Sequence, residues 1–532
     1  MSTTTEAAQV DGHGTERVEA VAPKGLHRGI IGLLGSTVLG VVQTAPAYSV
    51  AVTLGFLVAA VGLQAPAALL LGFVPIFCMT IAEREFVARE PDAGTVFVWV
   101  GKSLGPRLGW IASWALLAAT FIALANLANI TGRYFFLLID ANGAAETTWA
   151  TILVGCAWLG VSTFLAVRGL ELSSRAQIVL LAAGLSVLAA FTIVAIVKLV
   201  GGTAGTQSIG FSPDWLNPFS ISGGGALSSG LLLAIFFYWG WDGPAAVVEE
   251  TRGGIRTPRL ALALSAAALL ACYIVVAIVM EAYAGVGAHG IGLANSENSG
   301  DVLAVVGDRV LGTGAGHLMK FAVMLSAAAA LTASVVPTAR ALLSMGVYRA
   351  LPEPFARVNP RTGSPVVSTL AVGLASAAVL VLLSVVSNNV LGDSISAIVL
   401  LIAFYYTLLG LACIWYFRRE LLRSTGDLLA KGVLPAIGTG ILGWALVRNL
   451  KDTYKKDYGL TSLLGIGGVF VIGVATVLLG VLLMLAWNAR SREFFRGETF
   501  TAGWAARHAP DLSAVKDGPV LPEELPGGTT GR

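Results

Sequence analysis

Long apolar stretches alternate with short polar ones over most of this chain. A helix needs about 20 apolar residues to cross a bilayer. Twelve stretches reach or approach that length: 29–60, 66–87, 107–138, 149–167, 174–200, 224–248, 259–285, 313–345, 365–386, 393–417, 432–448 and 460–487. Two of them are interrupted near the middle. The first reads Gln43-Thr44-Ala45-Pro46-Ala47, and the sixth reads Tyr238-Trp239-Gly240-Trp241-Asp242-Gly243-Pro244. A break in a lipid-buried helix bares N–H and C=O groups, which is tolerated only where protein or a water-filled cavity covers them. Matching interruptions in two halves of a chain point to a transporter's binding site.

Composition agrees with that pattern. The 532 residues are 56% hydrophobic and only 12% charged, against about 25% charged in soluble domains. The expected fold is an all-α polytopic membrane protein of about 12 transmembrane helices. Spans one to five and six to ten form a 5+5 inverted repeat with discontinuous helices 1 and 6, and two C-terminal helices follow. The expected division is a disordered cytoplasmic N-terminus (1–28), a transport core (29–420), helices 11 and 12 (421–489) and a polar cytoplasmic tail (490–532). The polar first 25 residues have no apolar run after a basic start, so no cleavable signal peptide is expected.

The charges set an orientation rather than a partner. With the N-terminus inside, seventeen Lys and Arg residues fall in the inward loops, among them Arg84, Arg89, Arg252, Arg256, Arg340 and Arg418, and six in the outward loops. That bias places both termini in the cytoplasm, with the plasma membrane as the expected location. A net charge of +3 carries no nucleic-acid signature. Cys78, Cys156, Cys272 and Cys413 are far apart in apolar runs and the five histidines are scattered, so neither a disulfide framework nor a metal site is expected. No cofactor is expected.

The breaks supply the candidate chemistry. A half-helix N-terminus carries a partial positive charge of about +0.5, and a half-helix C-terminus the opposite. A substrate with a carboxylate and an ammonium group fits between them, against Gln43, Thr44, Ala45, Pro46 and Ala47 on one side and Gly240, Asp242 and Gly243 on the other. Pro244 suits the first turn of the restarting helix. Asp242 is an acid deep in a helix, and it either contacts a substrate cation or coupling ion or caps the restarting half-helix. Asn126 and Asn129 lie three apart on one face of the third span; they line the site or bond between helices. Phe236, Phe237, Tyr238, Trp239 and Trp241 crowd the second break, and Tyr405-Tyr406 lie on the tenth span, as gating or packing aromatics. Glu83, Glu249, Glu250 and Arg256 sit at helix ends as an inner gate of ion pairs or as solvated charges.

These stretches resemble the amino acid–polyamine–organocation (APC) permease superfamily. The likeness covers roughly residues 29–420. It is carried by Ala82-Glu83 through Pro91-Asp92-Ala93-Gly94 and Leu104-Gly105-Pro106, by Phe237-Tyr238-Trp239-Gly240-Trp241-Asp242 with Glu249-Glu250, and by Ala339-Arg340 through Leu351-Pro352 and Gly363-Ser364-Pro365. The resemblance implies substrate held between helices one, three, six, eight and ten. It implies amino acids or related amines, with the carboxylate at the Gln43–Ala47 backbone and the amino group near Phe236–Gly240. Two departures stand out. The first break is Gln-Thr-Ala-Pro-Ala where the family usually has glycines, and residues 176–197 hold no basic residue where some proton-coupled members carry a lysine. Ser326, Thr332 and Ser334 are candidate ligands for a sodium ion, Ser334 foremost.

The expected function is that of a secondary transporter, not an enzyme, moving an amino acid or amine by alternating access, with or without a coupling ion, as a monomer or homodimer in the lipid bilayer. The alternatives are a same-fold transporter of an inorganic cation or nucleobase, and a membrane-embedded enzyme, which would want a cluster of acids or metal ligands absent here.

Overall fold

The computed structural model describes residues 24–298, 301–312, 315–386 and 388–501. Within them the helices form twelve candidate membrane spans. The first crossing is split into Leu33–Gln43 and Pro46–Val61, and the sixth into Gly224–Tyr238 and the short helix Gly243–Ala246. The others are Ala65–Arg89, Pro106–Leu138, Thr148–Val167, Leu170–Val200, Arg256–Ala284, Gly316–Val347, Val366–Val386, Asn388–Tyr416, a run ending in Leu434–Thr453, and Gly468–Asn488. The third and eighth, 33 and 32 residues long, run roughly 50 Å each at 1.5 Å per residue and form the centre. The fourth, fifth, ninth and twelfth turn Leu153, Val179, Leu374 and Leu482 outward, the surface that hydrocarbon would cover.

Hydroxyl groups repair both interruptions. Ala45 takes a left-handed conformation with φ 48°, and Pro46 opens the second half-helix, where its missing N–H leaves nothing unpaired. The Thr44 hydroxyl donates to the Val41 carbonyl at 2.8 Å, and the Ser49 hydroxyl to the Thr44 carbonyl at 2.6 Å. At the sixth span Gly240 has φ 109°, a conformation open to glycine. The Ser265 hydroxyl on the seventh span donates to the Trp241 carbonyl at 3.0 Å. The seventh span therefore serves as a brace for the second break.

Several expectations need correction. Helices Val96–Leu104 and Val302–Leu311 lie in connections read as loops; at nine and ten residues they are too short to register as spans. The twelfth helix starts at Gly468 rather than 460, because Ser462–Leu463 pairs with Ile466–Gly467 as a hairpin turned by Gly465 at φ 82°. Residues 24–28 were assigned to a disordered terminus, yet Lys24 and Leu26 are buried. Phe494 and Phe495, assigned to the polar tail, are buried too, with Phe494 stacked on Phe97 at 5.6 Å. Residues 1–23 and 502–532 of the two tails lie outside the described residues.

Candidate functional site

Where the two breaks face each other, a cavity of about 40 Å³ opens. The first span lines it with Gln43, Thr44, Ala45, Tyr48 and Ser49, and the sixth with Phe236, Trp239 and Gly240. Thr120, Ala123, Asn126 and Leu127 come from the third span, Ser334 from the eighth and Ile398 from the tenth. No acidic or basic side chain lines this space among the described residues. Tyr273 donates to the Thr44 hydroxyl at 3.2 Å, and the Trp239 indole N–H donates to the Tyr405 hydroxyl at 2.6 Å. Both walls are thus held from behind.

A vestibule of about 700 Å³ leads from this cavity to the face opposite the termini. Tyr48, Asn126 and Phe236 line both spaces and form the neck between them. On the other side of Gln43 lies a recess of about 30 Å³, lined by Glu83, Thr95, Asp242 and Pro337 among others.

The face that carries the termini is shut by buried charges. Lys24 pairs with Asp92 and, at 2.6 Å, with Glu249. Asp92 also accepts from the Tyr348 hydroxyl at 2.7 Å and the Gly94 amide at 2.7 Å. Arg340 grips Glu250 through two N–H groups at 2.8 and 2.9 Å, a fork geometry that lysine cannot copy. Burial alone would lower the Lys24 ammonium, but Asp92 and Glu249 outweigh it and hold it above its ordinary value. Burial likewise would raise Asp92, but Lys24, the Gly94 amide and the Tyr348 hydroxyl hold the carboxyl below the usual range.

The candidate residues divide among these spaces. Gln43, Thr44, Ala45, Asn126, Phe236, Gly240 and Ser334 meet at the central cavity. Pro46 and Ala47 instead line a recess against Leu180, Leu185 and Ser326, and Pro46 has no amide to offer. Asn129 opens on the vestibule, about one helical turn from Asn126, whose Nδ2 donates to the Ile122 carbonyl at 2.9 Å and the Ser394 hydroxyl at 3.2 Å. Tyr238 is buried, its hydroxyl donating to the Leu69 carbonyl at 3.2 Å, and it touches none of these spaces. Asp242 faces the recess below, where it accepts from the Tyr406 hydroxyl at 3.0 Å; its side chain does not cap the restarting helix. Of the four gate candidates, Glu249 and Glu250 join the closure, whereas Glu83 sits in the recess and Arg256 is exposed. Their partners Lys24, Asp92, Arg340 and Tyr348 were not singled out as gate residues. Nor were Tyr48, Ser49, Thr120 and Leu127 for the cavity; a one-turn offset from the break would have found Tyr48 and Ser49.

Paired broken helices enclosing a small cavity, with one side open and the other locked, define a membrane transporter. The amino acid permease family profile matches residues 30–484, and the chain belongs to that family. It is 28% identical over 432 residues to the branched-chain amino acid permease BcaP of Lactococcus lactis, covering 76% of this chain and 85% of that one. It is 26% identical to the vacuolar cationic amino acid transporter 4 of Arabidopsis thaliana over 55% of this chain and 48% of that longer one. The fold is similar to that of MhsT, solved in complex with L-phenylalanine, with a TM-score of 0.55, 16% identity, and coverage of 77% of this chain and 98% of that one. Family membership sets aside the inorganic-cation, nucleobase and membrane-enzyme alternatives.

Proposed function

We propose that this permease moves neutral amino acids with aliphatic side chains by alternating access. The observation that carries the reading is the lining of the central cavity. Ala123, Leu127, Phe236 and Ile398 offer apolar surface, and no charged side chain among the described residues reaches it. A cationic side chain placed there would be desolvated without a partner, at a cost of several kcal/mol. The substrate carboxylate lies at the first break, near the positive end of the helix that starts at Pro46. The ammonium group lies at the second break, at the negative end of the helix that stops at Tyr238. The name of the branched-chain relative supports the same substrate class.

The open vestibule faces outward in this reading, and both termini lie in the cytoplasm of a plasma-membrane protein. The excess of Lys and Arg in the loops on the terminal face supports that orientation. The test is counterflow exchange in proteoliposomes containing the purified chain. Labelled leucine is expected to exchange against internal leucine, valine or isoleucine and not against lysine, arginine or a polyamine. Exchange of lysine without leucine would overturn the proposal.

A further inference from the structure

The recess below the breaks brings two carboxyl groups into one small space. At about 30 Å³, it has room for about one water molecule. Two carboxyl groups line it, Glu83 from the second span and Asp242 from the sixth, and no cation does among the described residues. Glu83 is 1% exposed, and its Oε2 has no hydrogen-bond partner among the described residues. Asp242 Oδ2 accepts one bond, from Tyr406. Gln43 Oε1, on the wall shared with the substrate cavity, is also buried and unpartnered.

The groups facing the pair can be named element by element. The first span contributes Gln43, the loop after the second span Thr95, the third Thr120 and the eighth Thr338, all uncharged. The tenth contributes Tyr406, with the Tyr405 ring tilted beside it at 4.4 Å. The eighth-span cation Arg340 is taken up by Glu250, and Arg84 does not line the cavity. Two carboxylates facing one small enclosed space each disfavour the charge on the other. A carboxylate at membrane depth also costs on the order of 2.5–3.5 kcal/mol by itself. One hydrogen resolves both problems, because a protonated carboxyl is a donor, whereas the Thr120 and Thr338 hydroxyls are spent on the Leu116 and Ser334 carbonyls.

We infer that Glu83 and Asp242 hold one transported proton between them, and that this cavity is the coupling site of the permease. The inference rests on the transport reading above. While the vestibule is open the proton arrives from that side past Gln43, and an O–H bond forms on one carboxyl. When the terminal side opens, water enters the recess, the O–H bond breaks, and the proton leaves on water while the carboxylate is solvated. Gln43 lines both the substrate cavity and the proton cavity, so filling one changes the wall of the other.

The test uses the full chain in two measurements, with Glu83→Gln as the variant and Glu83→Asp as the charge-conserving control. Infrared difference spectra across pH follow the carbonyl stretch of protonated carboxyl groups. A titrating band is expected in the wild type, lost in Glu83→Gln and retained in Glu83→Asp. In sodium-free proteoliposomes, an inward pH gradient is expected to drive leucine accumulation by the wild type, and Glu83→Gln to lose that drive. Thermal unfolding matched to the wild type establishes that the variant is folded. A band and a pH-driven uptake that both survive in Glu83→Gln would overturn the inference, as would accumulation driven by sodium and indifferent to pH. If the wild type exchanges no leucine at all, the substrate reading fails, and the spectra still decide the proton site: loss of the band in Glu83→Gln upholds it and persistence refutes it.

Discussion

The carbonyl oxygen of Trp241 occupies the space a side chain on Gly40 would need, 2.6 Å from where its β-carbon would stand. Gly40 lies one turn before the first break and Trp241 lies within the second, so the two broken helices touch backbone to backbone. The Ser265 hydroxyl that holds the Trp241 carbonyl would be 2.8 Å from the same β-carbon. Gly40→Ala is therefore expected to push the breaks apart. Overpacking of this kind costs roughly 1–3 kcal/mol, and a loss of leucine exchange at normal surface expression should accompany it. Gly160→Ala, with open space around it, should leave exchange unchanged, and equal activity of the two variants would disprove the argument.

Lys24 is the only cation in contact with Asp92 among the described residues. Lys24→Met leaves Asp92 and Glu249 facing each other without a cation, and the terminal side should spend more time open. In a background lacking the four native cysteines, a probe cysteine at Ala341, which lines the proton recess, reports the change. Its labelling by an impermeant maleimide from the terminal side is expected to rise by about tenfold, equivalent to ~1.4 kcal/mol. An unchanged rate would mean that Lys24 does not hold the gate.

The Arg340–Glu250 pair is almost fully buried, at 1% and 2% side-chain exposure. Breaking one half of such a pair costs roughly 3–5 kcal/mol, while removing both halves costs much less. Arg340→Met should lower the unfolding temperature in detergent sharply, and Arg340→Met combined with Glu250→Met should recover most of the loss. A double variant as unstable as the single one would contradict this account.

Phe236 stands at the neck between vestibule and cavity. Phe236→Ala enlarges the space available to a substrate side chain. Phenylalanine, expected to be a poor competitor in the wild type, should gain roughly tenfold as an inhibitor of leucine exchange, the scale on which pocket size discriminates apolar groups. Competition unchanged from the wild type would move the size filter elsewhere.

Much of the fold was legible because lipid forces it into the sequence. A span must be apolar for its whole length, and Pro46 and Gly240 mark where helical hydrogen bonding stops. The site was legible only near those marks. Asn126 and Asn129 share a face by spacing, yet they differ in depth by about 4.5 Å, and depth decides which of the two reaches the breaks. Asp242 reads as a substrate contact from its position, but its side chain leaves the cavity for Tyr406. Lys24 was hidden for another reason. Its partners lie 68 and 225 residues away, and no local pattern records a pairing at such separation.

Tyr348 is where the two ends of the described chain meet. The Lys24 ammonium lies 5.8 Å from the centre of its ring, and the Phe500 ring lies 5.1 Å away on the carboxyl-terminal side. Residue 24 is made well before residue 500. A nascent chain therefore holds the buried charges of the closure before it holds the aromatic ring that packs against Tyr348. Phe494 and Phe500 reach Phe97 only after the twelfth helix is made, so a ribosome stalled before them would leave the gate's charges in place without the rings packed behind them.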